Sequence, residues 1–176
     1  YASVPGLKVV VPATPYDAIG LLRASREELD PVMFIEHLML YGSRGEVPET
    51  RFTVPIGKAD IKREGKDATI ISYSRMSIVA LEAAKRLSEE GIDAEVMDLR
   101  TLRPLDSETV LESVRKTHRA LVVEEFWRTG GFAAEIAAQI QEHAFDYLDA
   151  PVARLAGAVA PMPYSFPLEK LAIPDS

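Results

Sequence analysis

Residues 68 to 99, ATIISYSRMSIVALEAAKRLSEEGIDAEVMDL, carry the pattern that decides the fold class. The run up to Tyr73 is apolar, as in a buried strand, and a stripe of apolar residues then repeats at helical spacing from Met76 to Leu87. Gly91 stands where a residue with a positive φ commonly ends a helix. A second apolar run over 94–99 completes the unit, which predicts two parallel strands joined by a helix.

The same alternation continues toward the C-terminus. It predicts a helix over 106–117, a strand over 120–124, a helix over 132–143 and a strand over 152–155. Alternation of this kind requires a mostly parallel sheet with helices on both faces, which places the chain in the α/β class. Ahead of it, two short strands at 59–63 and 68–73 are predicted around a turn, as in a hairpin. The tail from Ala156 contains four prolines and is predicted to be mostly irregular.

The N-terminal residues form a separate pattern. An apolar strand over 7–11 leads into Thr14 and Pro15, which are typical of the N-cap and first position of a helix, and 31–36 is predicted to be a second buried strand. Glycine, proline and charged residues then alternate without any sustained period over 40–55. We therefore predict a first domain over 1–45, a linker over 46–55 and a second domain over 56–176.

The composition argues against several classes of function. A net charge of −7 opposes binding to the phosphate backbone, so nucleic acid is not an expected partner. The absence of cysteine excludes disulfides, thiolate metal sites and cysteine nucleophiles. No uncharged apolar run reaches the roughly 18 residues that span a bilayer, and the first residues do not resemble a signal peptide. We expect a soluble protein without membrane contact.

Two pairs of neighbouring residues are candidates for a site. Glu124 and Glu125 end a strand at the carboxyl edge of the predicted sheet, where open α/β sheets bind ligands. Adjacent strand residues point to opposite faces, so a catalytic dyad is not expected, and one of the two is expected to face a cleft. Gly130 and Gly131 precede a helix, where free N–H groups can hold an anion. A tight loop is the favoured interpretation, because the other glycines of a dinucleotide fingerprint are missing.

The histidines and one arginine-rich loop have ordinary structural interpretations. His118 and His143 are predicted to be solvated at helix ends, where a cation is favoured by the helix dipole. His37 follows an apolar strand and is predicted to lie at an interface or to pack. The loop from Arg100 to Asp106 carries two guanidinium groups, and helix capping by Asp106 is favoured over a ligand site.

Seven segments, in this order and spacing, give the chain a resemblance to a known family. They are VPGLKVV (4–10), DPVMFIE (30–36), GEVP (45–48), DLRTLRPLD (98–106), TGGF (129–132), FDYLDAP (145–151) and PMPY (161–164). Over nearly all its length the chain resembles the β subunit of the thiamine-diphosphate-dependent decarboxylase component of 2-oxo acid dehydrogenase complexes. The resemblance implies that 1–45 is the C-terminal end of a pyrimidine-binding domain and that 56–176 is a transketolase C-terminal-type domain.

The resemblance also implies an assembly larger than this chain. Members of the family form an α2β2 tetramer in which thiamine diphosphate and magnesium lie at the α/β interface, and the product is an acyl group passed to lipoyl groups. The glutamate that activates the cofactor and an active-site histidine lie in an N-terminal part that these 176 residues lack. A few further residues, among them an aromatic residue and a histidine, are missing between Ser3 and Val4. We therefore expect part of a longer subunit, with no catalytic or cofactor-binding residue of its own and no activity alone.

A small number of residues can be matched to family sites. The loop ending the first helix resembles a structural potassium site, which would place Ser25, Arg26, Glu28 and Asp30 near the ion, largely through backbone carbonyls; Arg26 departs from the apolar residue usual there. Asp149 matches a position that contacts the subunit-binding domain of the dihydrolipoyl acyltransferase, a basic domain that an acidic residue suits. The expected partners are thus the α subunit, a second β subunit and that domain.

The resemblance leaves the substrate and the role open. Pyruvate is favoured over branched-chain 2-oxo acids and acetoin, because the segments 129–131 and 161–164 look more like the pyruvate group. The alternatives are a branched-chain or acetoin enzyme, a non-catalytic dimerisation and docking module, or a transketolase or deoxyxylulose-phosphate synthase, whose members do not share 145–151 and 161–164 together. The expected location is the bacterial cytoplasm or the mitochondrial matrix.

Overall fold

A computed structural model describes all 176 residues. The strands are β1 (Lys8–Val10), β2 (Val32–Phe34), β3 (Asp60–Arg63), β4 (Ala68–Ser72), β5 (Ala94–Asp98), β6 (Thr101–Arg103), β7 (Ala120–Trp127) and β8 (Ala153–Gly157). The helices are α1 (Pro15–Glu27), α2 (Arg75–Glu89), α3 (Ser107–Thr117), α4 (Phe132–Ala144) and α5 (Phe166–Ala172), with short 3-10 turns at Leu38–Leu40 and Phe145–Tyr147. None of these helices combines the length and the apolar character that crossing a membrane requires.

The second unit, the part of the chain from β3 onward, is built on a five-stranded sheet in the order β3-β5-β4-β7-β8. Strands β4, β5, β7 and β8 are mutually parallel, and β3 alone runs antiparallel. The predicted mostly parallel α/β sheet is confirmed. The predicted hairpin is wrong, because β5 lies between β3 and β4 and β3 pairs with β5 through Asp60 opposite Asp98.

The turn between β3 and β4 explains why the two strands are not neighbours in the sheet. It runs against the start of β5, where the backbone N–H groups of Lys66 and Asp67 both donate to the carbonyl of Asp93. A Cβ atom on Gly65 would lie 2.2 Å from the backbone nitrogen of Glu95. The glycine therefore permits a close approach of two backbone segments, and the turn hydrogen-bonds to β5 instead of closing a hairpin.

Successive residues of β4 divide the core between the two faces of the sheet. Ile70 packs with the residues of α2, whereas Ile71 packs with those of α3 and α4. The second face is the larger, and Ile136 and Ile140 of α4 are fully buried in it. Helices on both faces were predicted from the sequence, and burial of these side chains contributes about 1.5–3 kcal/mol each.

The first unit, the part of the chain before β3, contributes β1 and β2 to a three-stranded sheet in the order β2-β1-β6. Strand β1 is parallel to β2 and antiparallel to β6, which belongs to the segment after β5. Residues 101–103 were predicted as part of a loop, and the pairing of Val9 with Arg103 overturns that prediction. The strand predicted over 31–36 is present as β2 and is parallel to β1, but it has only three residues and each is half-buried instead of buried.

Local end signals of the helices are largely as the sequence predicts. The Thr14 hydroxyl accepts the backbone N–H of Asp17 at 3.1 Å, and Gly91 follows α2 with a φ of +84°. Helix α5 is not predicted by the proline-rich tail. It begins with Pro167 in its first turn and is held to the end of β8 by the backbone N–H of Ala158, which donates to the carbonyl of Ala172.

Candidate functional site

A cleft of about 1020 Å³ lies between the first unit and the carboxyl ends of β4 and β7. Half of its 22 lining residues are apolar, among them Val11 of the first unit and Phe132 at the start of α4. The carboxyl edge of a parallel sheet is where α/β folds bind ligands, and here residues of both units contribute to the walls. This cleft is the candidate functional site.

The polar end of the cleft joins the two units. His37 Nε2 lies 2.9 Å from Glu125 Oε2, and Arg75 Nη1 approaches the same oxygen at 3.8 Å. His37 Nδ1 accepts the backbone N–H of Met39 at 3.2 Å, so Nε2 carries the hydrogen and donates to the carboxylate. The side chains of His37 and Glu125 are each about a quarter exposed. His37 was predicted either to lie at an interface or to pack in the core. It lies at the interface between the two units.

Glu124 points to the face of β7 opposite to that of Glu125, and its side chain is fully buried. Its Oε2 accepts the Tyr73 hydroxyl at 3.0 Å and the backbone N–H of Ala133 at 3.1 Å, so the carboxylate caps the N-terminus of α4. Burial and then the Glu124 charge raise the pKa of the Tyr73 hydroxyl far above its usual value. The predicted opposite orientation of Glu124 and Glu125, with one of them facing a cleft, is confirmed.

The glycine pair before α4 serves this cap. A Cβ atom on Gly131 would lie 2.0 Å from Glu124 Oε1, and Gly130 has a φ of +74°. The space that an anion would need at the start of α4 is taken by the protein's own carboxylate. The tight-loop interpretation is confirmed, and a diphosphate group does not fit at this helix.

Asp106 behaves as predicted. Its carboxylate accepts the Thr109 hydroxyl at 2.8 Å and the backbone N–H of Ala59 at 3.0 Å, and it caps α3. Although burial opposes it, the hydrogen bonds from Ala59 and Thr109 hold the pKa of Asp106 below its usual value. The aspartate therefore fixes both the start of α3 and the segment before β3.

A buried group of charges that sequence reasoning missed lies where α1 meets the second unit. This junction cluster consists of Asp17, Asp60, Lys62, Asp98 and Arg100. Lys62 Nζ lies 2.9 Å from Asp17, and Arg100 Nε lies 2.7 Å from the other oxygen of the same carboxylate. Asp17 and Asp98 are fully buried. The cluster ties the first unit to the β3–β5 edge of the sheet.

The comparison with protein families identifies the second unit. Residues 57–176 match the family described as transketolase, C-terminal domain. The chain belongs to this family. A solved structure described as a split-gene transketolase, an inactive β4 tetramer, superposes with a TM-score of 0.74 and 29% identity over 96% of this chain and 53% of that chain.

Curated relatives extend the similarity over the whole chain. The chain is 53% identical over 179 aligned residues to pyruvate dehydrogenase E1 component subunit beta-1, mitochondrial, of Arabidopsis thaliana, which covers 99% of this chain and 49% of that protein. It is 47% identical to the beta subunit of acetoin:2,6-dichlorophenolindophenol oxidoreductase of Bacillus subtilis strain 168, over 99% of this chain and 51% of that protein. The resemblance to E1 beta subunits is confirmed, and the chain spans about half the length of these curated relatives.

Within this transketolase C-terminal family member, three of the four side chains matched to a potassium site make contacts inside the chain and the fourth is exposed. Lys8 Nζ pairs with Glu28 and lies 3.5 Å from Asp30, so both carboxylates already contact a lysine of the chain. The Ser25 hydroxyl donates to the carbonyl of Leu21 at 2.7 Å, and Arg26 is exposed. No group of three or more His, Asp or Glu side chains is placed to hold a metal ion. A potassium ion held here largely through backbone carbonyls stays a prediction.

Asp149 lies on the surface of the transketolase-type domain, after the second 3-10 turn. Its side chain is 57% exposed and lies 3.5 Å from Arg119 Nη2, while its backbone N–H donates to the carbonyl of His118. His118 and His143 are exposed at the ends of α3 and α4, as predicted. Asp149 is thus accessible to a partner but has an arginine of its own chain beside it.

Proposed function

We propose that this chain is part of the β subunit of a pyruvate dehydrogenase decarboxylase component. The observation that carries the proposal is the 53% identity to a plant E1 beta subunit over 99% of the chain. In this proposal the chain works in an α2β2 tetramer that decarboxylates pyruvate and transfers the acyl group to a lipoyl group. An acetoin-oxidising enzyme is the second candidate, supported by the 47% identity to an acetoin oxidoreductase beta subunit.

The domain division and the cofactor belong to the same proposal. We infer that 1–45 is the end of a pyrimidine-binding domain, 46–55 a linker and 56–176 the transketolase C-terminal-type domain, which the family match over 57–176 supports. The Glu124 carboxylate at the start of α4 argues against a diphosphate site there, so thiamine diphosphate and magnesium are assigned to the α/β interface. A potassium ion near 25–30 would have to be held by backbone carbonyls.

The test of this function is an assay with and without an α subunit. The purified chain, given thiamine diphosphate, magnesium, pyruvate and an artificial electron acceptor, is expected to show no turnover above that of the free cofactor. Full-length β subunit carrying these residues, combined with the α subunit, is expected to prefer pyruvate over acetoin and over branched-chain 2-oxo acids. Turnover by the chain alone, or a preference of the tetramer for acetoin, would contradict the proposal.

Asp149→Ala tests the proposed docking of the acyltransferase. If Asp149 pairs with a basic residue of the subunit-binding domain, its removal leaves an unpaired cation and weakens binding by about 2 kcal/mol, roughly thirtyfold. Calorimetric titration of that domain into the assembled tetramer measures the dissociation constant, at low and at high salt. Asp146→Ala, an exposed aspartate three residues away, is the matched control. An unchanged dissociation constant for Asp149→Ala at both salt concentrations would remove this residue from the interface.

A further inference from the structure

The junction cluster contains one carboxylate more than its cations can pair. Lys62 and Arg100 face three aspartates, which are Asp17 on α1, Asp60 on β3 and Asp98 at the end of β5. Asp17 and Asp98 are fully buried, and the two cationic side chains are only 14% and 11% exposed. Water therefore contributes little to balancing the excess charge.

The distances show which aspartate is the surplus one. Lys62 Nζ lies 2.9 Å from Asp17 and 2.7 Å from Asp60, and Arg100 reaches the same two carboxylates at 2.7 and 2.8 Å. Asp98 Oδ1 accepts the backbone N–H of Arg100 at 3.1 Å, but Asp98 Oδ2 is 3.8 Å from Lys62 and has no hydrogen-bond partner. Asp17 Oδ1 also lacks a well-aligned hydrogen bond, but Arg100 Nε lies only 2.7 Å from it. Asp98 Oδ2 is therefore the buried carboxylate oxygen of the cluster without a close cation, and a proton is most favourable there.

We propose that Asp98 holds a proton when α1 is docked on the second unit, so that docking is strongest in acid and weakens as the pH rises toward neutrality, where an undocked, solvated aspartate would release that proton. Ionised Asp98 competes with Asp17 for Lys62, and Asp17 is the residue through which α1 is held to the cluster. The strength of the contact between the two units therefore depends on the proton bound to Asp98. This inference concerns the residues of the chain itself and does not depend on its substrate.

The electrostatics of the surrounding elements agree with this. Burial, together with the charge of Asp17, raises the pKa of Asp98 to about 7. The positive charge of Lys62 offsets this rise only in part. The backbone N–H of Arg100 and the Ser77 hydroxyl of α2 both favour the ionised form of Asp98, but they do not outweigh burial. Because the folded state binds this proton more tightly than the unfolded state, the contribution of Asp98 to stability is greatest below the pKa of an unfolded aspartate. This contribution is lost as the pH rises from about 4 to about 7, and above about 7 the free energy of unfolding no longer depends on Asp98 ionisation.

Asp98→Asn removes the titrating group while its amide oxygen can still accept the N–H of Arg100. Thermal unfolding of the wild-type chain and of the variant is measured from about pH 5 to about pH 8. The melting temperature of Asp98→Asn minus that of the wild type is expected to rise by several degrees across this range and to level off above pH 7. Using the difference removes the contributions of the titrating groups that the wild type and the variant share. Asp146→Asn, the same change at an exposed site, is expected to give a constant difference.

A second variant and a second measurement keep the test decisive if Asp98→Asn folds poorly. Asp98→Ala also has no titrating group and is expected to give the same rise with pH, whatever its absolute stability. In the wild-type chain, infrared spectroscopy at about pH 6 is expected to show the C=O stretch of a protonated carboxylic acid, which disappears at about pH 8. A melting-temperature difference that does not change with pH, or a wild-type spectrum without the protonated-acid band at pH 6, would overturn the proposal.

Discussion

Replacing Gly65 with alanine is expected to lower the free energy of unfolding by roughly 3 kcal/mol or more, the upper end of what overpacking produces. The added Cβ would lie 2.2 Å from the nitrogen of Glu95 and 2.3 Å from the carbonyl carbon of Ala94. Both atoms belong to the backbone of β5, which is buried and paired on both edges, so neither can move aside as the end of a flexible side chain could. The turn must instead detach from β5.

Gly42→Ala is the matched control for this change, because its Cβ meets nothing within 4 Å and its backbone does not require glycine. Urea unfolding followed by circular dichroism gives the two free energies under the same conditions. We expect Gly42→Ala to be close to wild type. If Gly65→Ala were as stable as Gly42→Ala, the close approach of the turn to β5 would not exist in solution.

Asp17→Ala is expected to destabilise the chain by about 1–3 kcal/mol, the cost of leaving buried hydrogen-bonding groups without their partner. The two cations would still face Asp60 and Asp98, but Lys62 and Arg100 would each lose a close contact in a place where water cannot replace it. The Thr14 hydroxyl, which donates to the Asp17 side chain at 2.5 Å, would lose its acceptor as well. The measurement is again urea unfolding, with the exposed Asp146→Ala as the control.

Asp17 also makes the free energy of unfolding depend on pH, with a sign opposite to that of the Asp98 contribution. Burial opposes ionisation of Asp17, but hydrogen bonds from Thr14 and Lys62 outweigh it and hold its pKa below the usual value. Its stabilising contribution is therefore complete above the pKa of an unfolded aspartate, about 4, and is lost as the pH falls below that. We expect Asp17→Ala to lose less stability on acidification than the wild type does. A wild-type and a variant curve that run parallel below pH 4 would contradict this.

Elements whose signals are local could be predicted from the sequence. Thr14 before Pro15, Asp106 before α3 and Gly91 after α2 each act within a few residues, and all three helix ends lie where the sequence places them. Pairings between distant segments could not be predicted in the same way. A turn containing Gly65 is compatible both with a hairpin and with a crossing over a third strand, and the difference lies in β5, about thirty residues later.

The same reason separates the parts of the site that the sequence indicated from those it did not. The opposite orientation of Glu124 and Glu125 follows from strand geometry alone, and the structure agrees. That Glu125 meets His37 requires knowing how two units lie against each other, since 88 positions separate the two residues. The junction cluster was missed because Asp17 and Lys62 each have an ordinary local interpretation, the first as a helix-start acid and the second as a strand lysine.

The pairing of β1 with β6 has a consequence for how the chain reaches its folded state. Val9 lies opposite Arg103, so this pairing cannot form until about ninety further residues have been made after β1. At a synthesis rate of about 5–20 residues per second, the edge of β1 that pairs with β6 stays open for several seconds on the ribosome. During that time the apolar edge formed by Val9 and Val10, buried in the finished molecule, is open to other chains. Folding of this polypeptide is for that reason a process that binding to a chaperone would assist.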